Sequence, residues 1–425
     1  MAAVVAAARA AAADLAVLPT SAKDQALWGL AKAIEAGAED ILKANARDVQ
    51  AAEARGRRPA FIDRLRLTSA RISAMATGVR QVTGLPDPVG AIRDLTRRPN
   101  GMLVGRMRVP IGVILMIYEA RPSVTVDAAA LCLKAGNASI LRGGSDATHT
   151  LAALAPLVRD LPGLPADAVQ VLTPAGREEV EVLLQSSGID LVIPRGGEEL
   201  IRTVTRLARM PVLKHFKGVC HLFVDRDADL EMARRIVLNA KAQRPSTCNA
   251  LETLLVDEAV AARFLPATLQ ALRQAGVEVR GDDAVQALDP AVVPAADDDW
   301  GREFLDFILA VRVVPDLTAA LEHIRRYSTG LAEAIVTERL DRAQRFLQAV
   351  DSAAVLVNAS TRLVDGGEFG LGAEIGISTN RLGPRGPMGV EELTSYKWVV
   401  LGSGQVRAEA APRHTLPTDE ETPDS

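Results

Sequence analysis

Apolar and polar positions divide the chain into stretches of different pattern. From Met1 to about residue 88, apolar residues recur at helical spacing among Ala, Leu, Glu, Lys and Arg. Leu27, Leu30 and Ile34 mark one face of a helix whose expected N-cap is Ser21. Residues 92–95 and 102–108 read as extended segments around a turn at 96–101, a β-ribbon. A strand–helix alternation follows. Short apolar runs at 112–118, 138–142, 168–173, 189–194 and 220–225 each precede a helical pattern, such as residues 124–135 closed by Gly136-Asn137. The rhythm restarts after Cys248, with runs at 251–256, 307–314, 334–337 and 353–358 and a helix over 258–274. Such alternation predicts parallel sheets covered on both faces, with right-handed crossovers gathering the strand-to-helix turns at one edge. The acid-rich stretch 295–299 reads as a surface loop. Glycine-rich residues from 366 onward end in an extended stretch at 395–400. The polar residues after Ser403, with Pro412, Pro417 and Pro423, predict a disordered tail.

Composition narrows the function classes. The 425 residues carry 49 basic and 53 acidic side chains, a net charge of -4, so nothing suggests a nucleic-acid partner. No apolar run approaches the ~20 residues needed to span a bilayer. The alanine-rich start is interrupted by Arg9 and Asp14 and reads as a helix, not a signal peptide. Cys132, Cys220 and Cys248 cannot all pair within one chain, and none has metal-ligand spacing. The expectation is therefore a reducing, cytoplasmic compartment and no metal site. Cys132 sits on an apolar helix face and Cys220 at a strand start, both positions for packing thiols. His149 and His323 fall on helical patterns and are expected at the surface.

Two features carry chemistry. Arg142-Gly143-Gly144-Ser145 and Arg195-Gly196-Gly197 each follow a strand directly. Glycines at a strand-to-helix turn let backbone N–H groups approach an anion, and a guanidinium suits phosphate, although Gly-Gly also serves ordinary turns. The second feature is Cys248, in the polar loop Gln243-Arg-Pro-Ser-Thr-Cys-Asn-Ala250. Lys241 and Arg244 could stabilise its thiolate, the nucleophilic form, so it reads either as a nucleophile or as an incidental loop thiol.

Longer motifs are more specific. Val109-Pro-Ile-Gly-Val-Ile-Leu-Met-Ile-Tyr-Glu-Ala-Arg-Pro-Ser123, the Cys248 loop continuing to Leu255, and Val357-Asn-Ala-Ser-Thr-Arg362 resemble the gamma-glutamyl phosphate reductase (glutamate-5-semialdehyde dehydrogenase) family. So do Asp365-Gly-Gly-Glu-Phe-Gly-Leu-Gly-Ala-Glu-Ile-Gly-Ile-Ser378 and Gly386-Pro-Met-Gly-Val-Glu-Glu-Leu-Thr-Ser-Tyr-Lys397. The likeness runs over nearly the whole chain up to Ser403.

The resemblance implies an α/β, aldehyde dehydrogenase-like fold, with two doubly wound parallel-sheet domains and a small β oligomerisation element. Residues 1–91 and 109–240 would form the NADPH-binding domain and 241–372 the catalytic cysteine domain. Residues 92–108 and 373–403 would form the oligomerisation element, and 404–425 the disordered tail. The implied reaction is NADPH-dependent reduction of L-glutamate 5-phosphate to the 5-semialdehyde, second in proline biosynthesis. An NAD(P)-dependent dehydrogenase of another semialdehyde or acyl phosphate is the alternative.

By the same likeness Cys248 is the nucleophile, with backbone N–H groups around Cys248 and Asn249 as oxyanion donors. Arg142, Gly143 and Ser145 match the adenosine end of the cofactor, Gly196 and Gly197 its pyrophosphate, and Glu303 the nicotinamide ribose. His215 lies near the glutamate base of oxidising superfamily members, or is structural. Leu331 stands near where the family usually has a histidine. A homo-oligomer is implied, and the lability of glutamyl phosphate is compatible with transient contact with glutamate 5-kinase.

Overall fold

A computed structural model describes residues 1–407 except 120, 173–175 and 215. The expected tail beyond residue 407, and His215, lie outside the described residues. Ala2–Leu15, Thr20–Ala36, Ala38–Ala54, Pro59–Leu65 and Ser69–Thr83 are helices. The second begins at Thr20 after extended Pro19, which places Ser21 inside its first turn and not at the N-cap. The Thr20 hydroxyl donates to Asp87 at 2.8 Å. Val5, Ala8, Ala11, Ala12 and Leu15 of the first helix are buried in the core.

These helices join a four-stranded parallel sheet in the order Val169–Leu172, Ala138–Gly143, Val113–Tyr118, Leu191–Arg195. Strand Val113–Tyr118 is buried along its whole length, as a two-sided parallel strand must be. Chain order reverses between it and Leu191–Arg195, the place where open α/β sheets form their crevice.

A second parallel sheet has seven strands, ordered Val293–Pro294, Glu278–Gly281, Ile308–Val314, Leu251–Asp257, Cys220–Val224, Ala332–Val336, Ala354–Val357. Cys220–Val224 pairs with Leu251–Asp257, so it belongs here and not with the rest of residues 109–240. A strand's apolar run does not say which sheet it joins. The short strand at 278–281 and the edge strand at 293–294 beside it escape the hydrophobic pattern because they are short and partly exposed.

Ile92–Arg97 and Leu103–Pro110 form an antiparallel hairpin, and Thr394–Leu401 adds to it as the third strand. The rest of residues 373–403 departs from the ribbon. Ile375, Met388, Val390 and Leu393 are buried in the core of the first sheet, because these apolar side chains find cover there and not on the exposed ribbon. Two further expectations fail on burial. Asp299 is buried and paired with Arg280 at 2.9 Å, so the acid-rich stretch is not wholly a surface loop. His323 is buried against Trp300, Tyr327 and His221, on the inner face of helix Leu317–Tyr327.

Candidate active site

Cys248 lies in the turn between helix Leu230–Ala242 and strand Leu251–Asp257, half-buried. The backbone at Gly218 is pressed so close that an added Cβ would sit 1.9 Å from the Cys248 carbonyl oxygen. The Cys220 thiol donates to that same oxygen at 3.4 Å. Asn249 fixes the next position. Its amide nitrogen donates to the Val364 carbonyl at 3.0 Å, and its oxygen accepts from the Thr247 hydroxyl at 2.9 Å and from Arg362. The Asn249 side chain is therefore committed to the scaffold. No hydrogen bond among the described residues takes the backbone N–H of Cys248 or of Asn249. Free, oriented N–H groups beside a nucleophile can stabilise an oxyanion.

The thiol has both guanidinium groups and carboxylates within electrostatic reach. Burial pushes Cys248 above the ordinary thiol value; Arg195 and Arg121 pull it down, while Glu374 and Glu303 push it up. Arg195 ends its strand opposite Tyr118, and Arg121 follows two residues after Glu119 in the turn leading to helix Ser123–Lys134. Burial, Arg195, Arg64 and Arg244 together hold Arg121 down at about 10. Arg362 also lies within electrostatic reach of Cys248 and donates to Gln243 at 2.9 Å. These arginines come from separate parts of the chain, and sequence reading of the Cys248 loop did not single out Arg121, Arg195 or Arg362. Arg121 and Arg362 lie inside the long motifs quoted above, which was the available signal.

Lys241 does not serve the thiolate. Its ammonium forms a fully buried ion pair with Glu252 at 2.7 Å. The second Glu252 oxygen accepts the Leu305 N–H at 3.1 Å, where the backbone has a φ of 54°. The pair thus anchors the segment carrying Glu303, whose carboxylate accepts the Gly218 N–H at 2.8 Å. Beneath Cys248, Cys220, Leu331, Ala332, Val364 and Ile377 form an apolar floor, so Leu331 is a buried packing residue.

The glycine turns sit at the carboxyl edge of the first sheet, on either side of Val113–Tyr118. Arg142 is half-buried there, its guanidinium 3.5 Å from the Gly176 carbonyl. At Gly143 an added Cβ would meet Leu151 at 2.5 Å, so this glycine serves helix–strand packing. Ser145 is exposed and opens the short helix Ser145–Ala147. At Gly196 an added Cβ would meet Glu119 and Leu200 at 2.7 Å. The Gly197 N–H, at the start of helix Glu198–Leu207, donates to Glu119 at 2.9 Å. Cys248, Asn249 and Glu303 gather around Gly218, while Arg142, Gly143 and Ser145 form a separate group; Arg195, next to Gly196, borders the first of these.

The profile of the aldehyde dehydrogenase family matches residues 1–288. The gamma-glutamyl phosphate reductase of Caldanaerobacter subterraneus subsp. tengcongensis is 53% identical over 397 residues, 92% of this chain and 96% of that protein. The one from Xanthomonas axonopodis pv. citri is 55% identical over 397 residues, 92% and 95% of the two chains. The crystal structure of gamma-glutamyl phosphate reductase from Thermotoga maritima superposes with a TM-score of 0.91 at 45% identity, covering 95% of this chain and 99% of that one.

Proposed function

The chain belongs to the aldehyde dehydrogenase family and, within it, to the gamma-glutamyl phosphate reductases; from that membership we propose that it reduces L-glutamate 5-phosphate to L-glutamate 5-semialdehyde with release of phosphate, the second step of proline synthesis from glutamate. The observation that carries the chemistry is Cys248, in a turn pressed against Gly218, with the backbone N–H groups of Cys248 and Asn249 unpartnered among the described residues and guanidinium groups within electrostatic reach. Its thiolate attacks the acyl carbonyl, the carbon–oxygen bond to phosphate breaks, and a Cys248 thioester remains. Phosphate is already a good leaving group, so the site needs cations more than an acid, and Arg121 and Arg195 supply them. The N–H groups of Cys248 and Asn249 stabilise the oxyanion as it forms. After reduction the carbon–sulfur bond breaks, releasing the aldehyde and restoring the thiolate.

Aldehyde dehydrogenases use NAD(P), and we assign NADPH as the reductant. When bound it supplies the hydride. The chain's residues fit such a group: Arg142 offers a half-buried guanidinium for a 2′-phosphate, and Gly196 and Gly197 open the helix Glu198–Leu207 beside the crevice. Glu303, fixed by the Gly218 N–H, is the carboxylate for the nicotinamide ribose. The reading includes a homo-oligomer built through the exposed ribbon, a cytoplasmic location and transient contact with glutamate 5-kinase. Among the described residues no helix is long and apolar enough to cross a membrane.

The test is NADP⁺ reduction by glutamate semialdehyde with and without phosphate, run against NAD⁺. Strict phosphate dependence and a preference for NADP⁺ are expected, and Cys248→Ala should abolish turnover. Equal turnover of simple aldehydes without phosphate would favour the broader dehydrogenase instead.

A further inference from the structure

Helix Ser123–Lys134 starts at the crevice, two residues after Arg121. From Ala128 to its end every residue is buried, whereas Ser123, Val124 and Asp127 keep some exposure on the edge nearest that turn. Asp127 is an odd residue to find there. No hydrogen bond or ion pair involving its carboxylate exists among the described residues. It does not cap the helix, which has no side-chain cap. Yet the protein hems it in: burial pushes it up to about 7, with Arg195 pulling in the other direction. A crowded carboxylate without a partner costs stability in the free protein.

The neighbouring carboxylates are all engaged. Glu303 accepts from Gly218 N–H at 2.8 Å, Glu374 from Gly366 N–H at 3.0 Å, and Glu119 from Gly197 N–H at 2.9 Å. Asp365 accepts from Gly367 N–H at 2.9 Å, and Glu252 holds Lys241 at 2.7 Å. Asp127 alone in this group has no donor. Arg195 lies within electrostatic reach of both Asp127 and Cys248, so the free carboxylate and the nucleophile share one cation.

We propose that Asp127 is the binding residue for the α-ammonium group of the substrate, and that it sets the preference for amino-acid semialdehydes and acyl phosphates over their deaminated counterparts. The role rests on the reaction proposed above. That substrate carries three charged groups. Its phosphate and α-carboxylate suit the arginines around Cys248, but its ammonium requires an anion three carbons from the reacting carbonyl. Asp127 supplies a carboxylate with free acceptor capacity on the cleft wall, and a charged hydrogen bond there would offset the cost of hemming it in.

The experiment compares L-glutamate semialdehyde with 5-oxopentanoate, which has the same carbon chain and carboxylate but no amine, each with phosphate and NADP⁺. Wild type should prefer the amine-bearing substrate in kcat/KM. Asp127→Asn, nearly isosteric, should shrink that preference by about 10- to 100-fold, the range for a hydrogen bond to a charged group. The loss should appear mainly in KM. The variant should also melt no lower than wild type, because it removes a crowded charge. Equal losses on both substrates, or no preference in wild type, would overturn the role of Asp127 while leaving the reaction standing. Absence of phosphate-dependent turnover in wild type would overturn the reaction itself, and this role with it.

Discussion

Cys248 is reactive only as the thiolate, and opposing influences set how much of it exists. Burial raises the thiol above its ordinary value, so thiolate grows as pH rises through the alkaline range. Alkylation by iodoacetamide should climb over that range. Cys132 and Cys220, fully buried and pushed up by burial, should stay silent in the native protein. Arg195→Met removes a cation and should raise the thiol further, slowing alkylation at pH 8 by about tenfold if it moves one pH unit. An unchanged rate would remove Arg195 from the thiolate's surroundings. The loop around Cys248 was legible in sequence because Pro245 and Asn249 break regular structure. What tunes the thiol was not, since the guanidinium groups converge from strands and turns far apart in the chain. Gly218 was also invisible. Its close approach to the Cys248 carbonyl predicts that Gly218→Ala displaces the turn, costing about 1–3 kcal/mol as overpacking does, and lowers kcat strongly. Thermal unfolding and steady-state kinetics check both; wild-type kcat would show that the turn's placement does not matter.

At the level of elements, runs of buried apolar residues announced the central strands, and the helices between them followed from their spacing. Short, partly exposed strands did not, because nothing in Glu278–Gly281 distinguishes it from a loop until Ile308–Val314 lies beside it. Buried ion pairs are harder still. Lys241 and Glu252 occupy adjacent elements, a helix end and a strand start, and sequence suggested the lysine for the thiolate. Their pairing instead holds the Leu305 N–H and so the Glu303 segment. Breaking one partner leaves the other charge buried alone. Lys241→Met should therefore destabilise by about 3–5 kcal/mol in urea unfolding. Adding Glu252→Gln removes the stranded charge but keeps an acceptor for Leu305, so the double variant should regain most of that stability. Failure to regain it would mean that the lysine stabilises by packing alone.

The molecule as a whole carries an appendage that its own core does not explain. The ribbon of Ile92–Arg97, Leu103–Pro110 and Thr394–Leu401 has a first strand exposed at every position and a last strand exposed at most. Trp398 is 63% and Val400 56% exposed, with Tyr396 on the same face of the strand, its ring under Arg106. Three strands with apolar groups open to water on a free outer edge are a poor solution for an isolated chain. The turn at 96–101 made the hairpin legible and the family resemblance added the C-terminal strand to it, but neither showed that residues 375–393 bury apolar side chains in the body. A second copy covering the Tyr396–Trp398–Val400 face would remove the anomaly. Trp398→Asp should then shift the sedimenting species to a smaller one at micromolar concentration, while far-ultraviolet circular dichroism stays that of the folded chain. Cys248 and the groups that act on it, Arg195, Arg121, Glu374 and Glu303, lie outside the ribbon, so the smaller species should keep its Cys248 alkylation profile even if it melts earlier. A wild-type protein that already sediments as a monomer would leave the exposed aromatic strand in need of another partner.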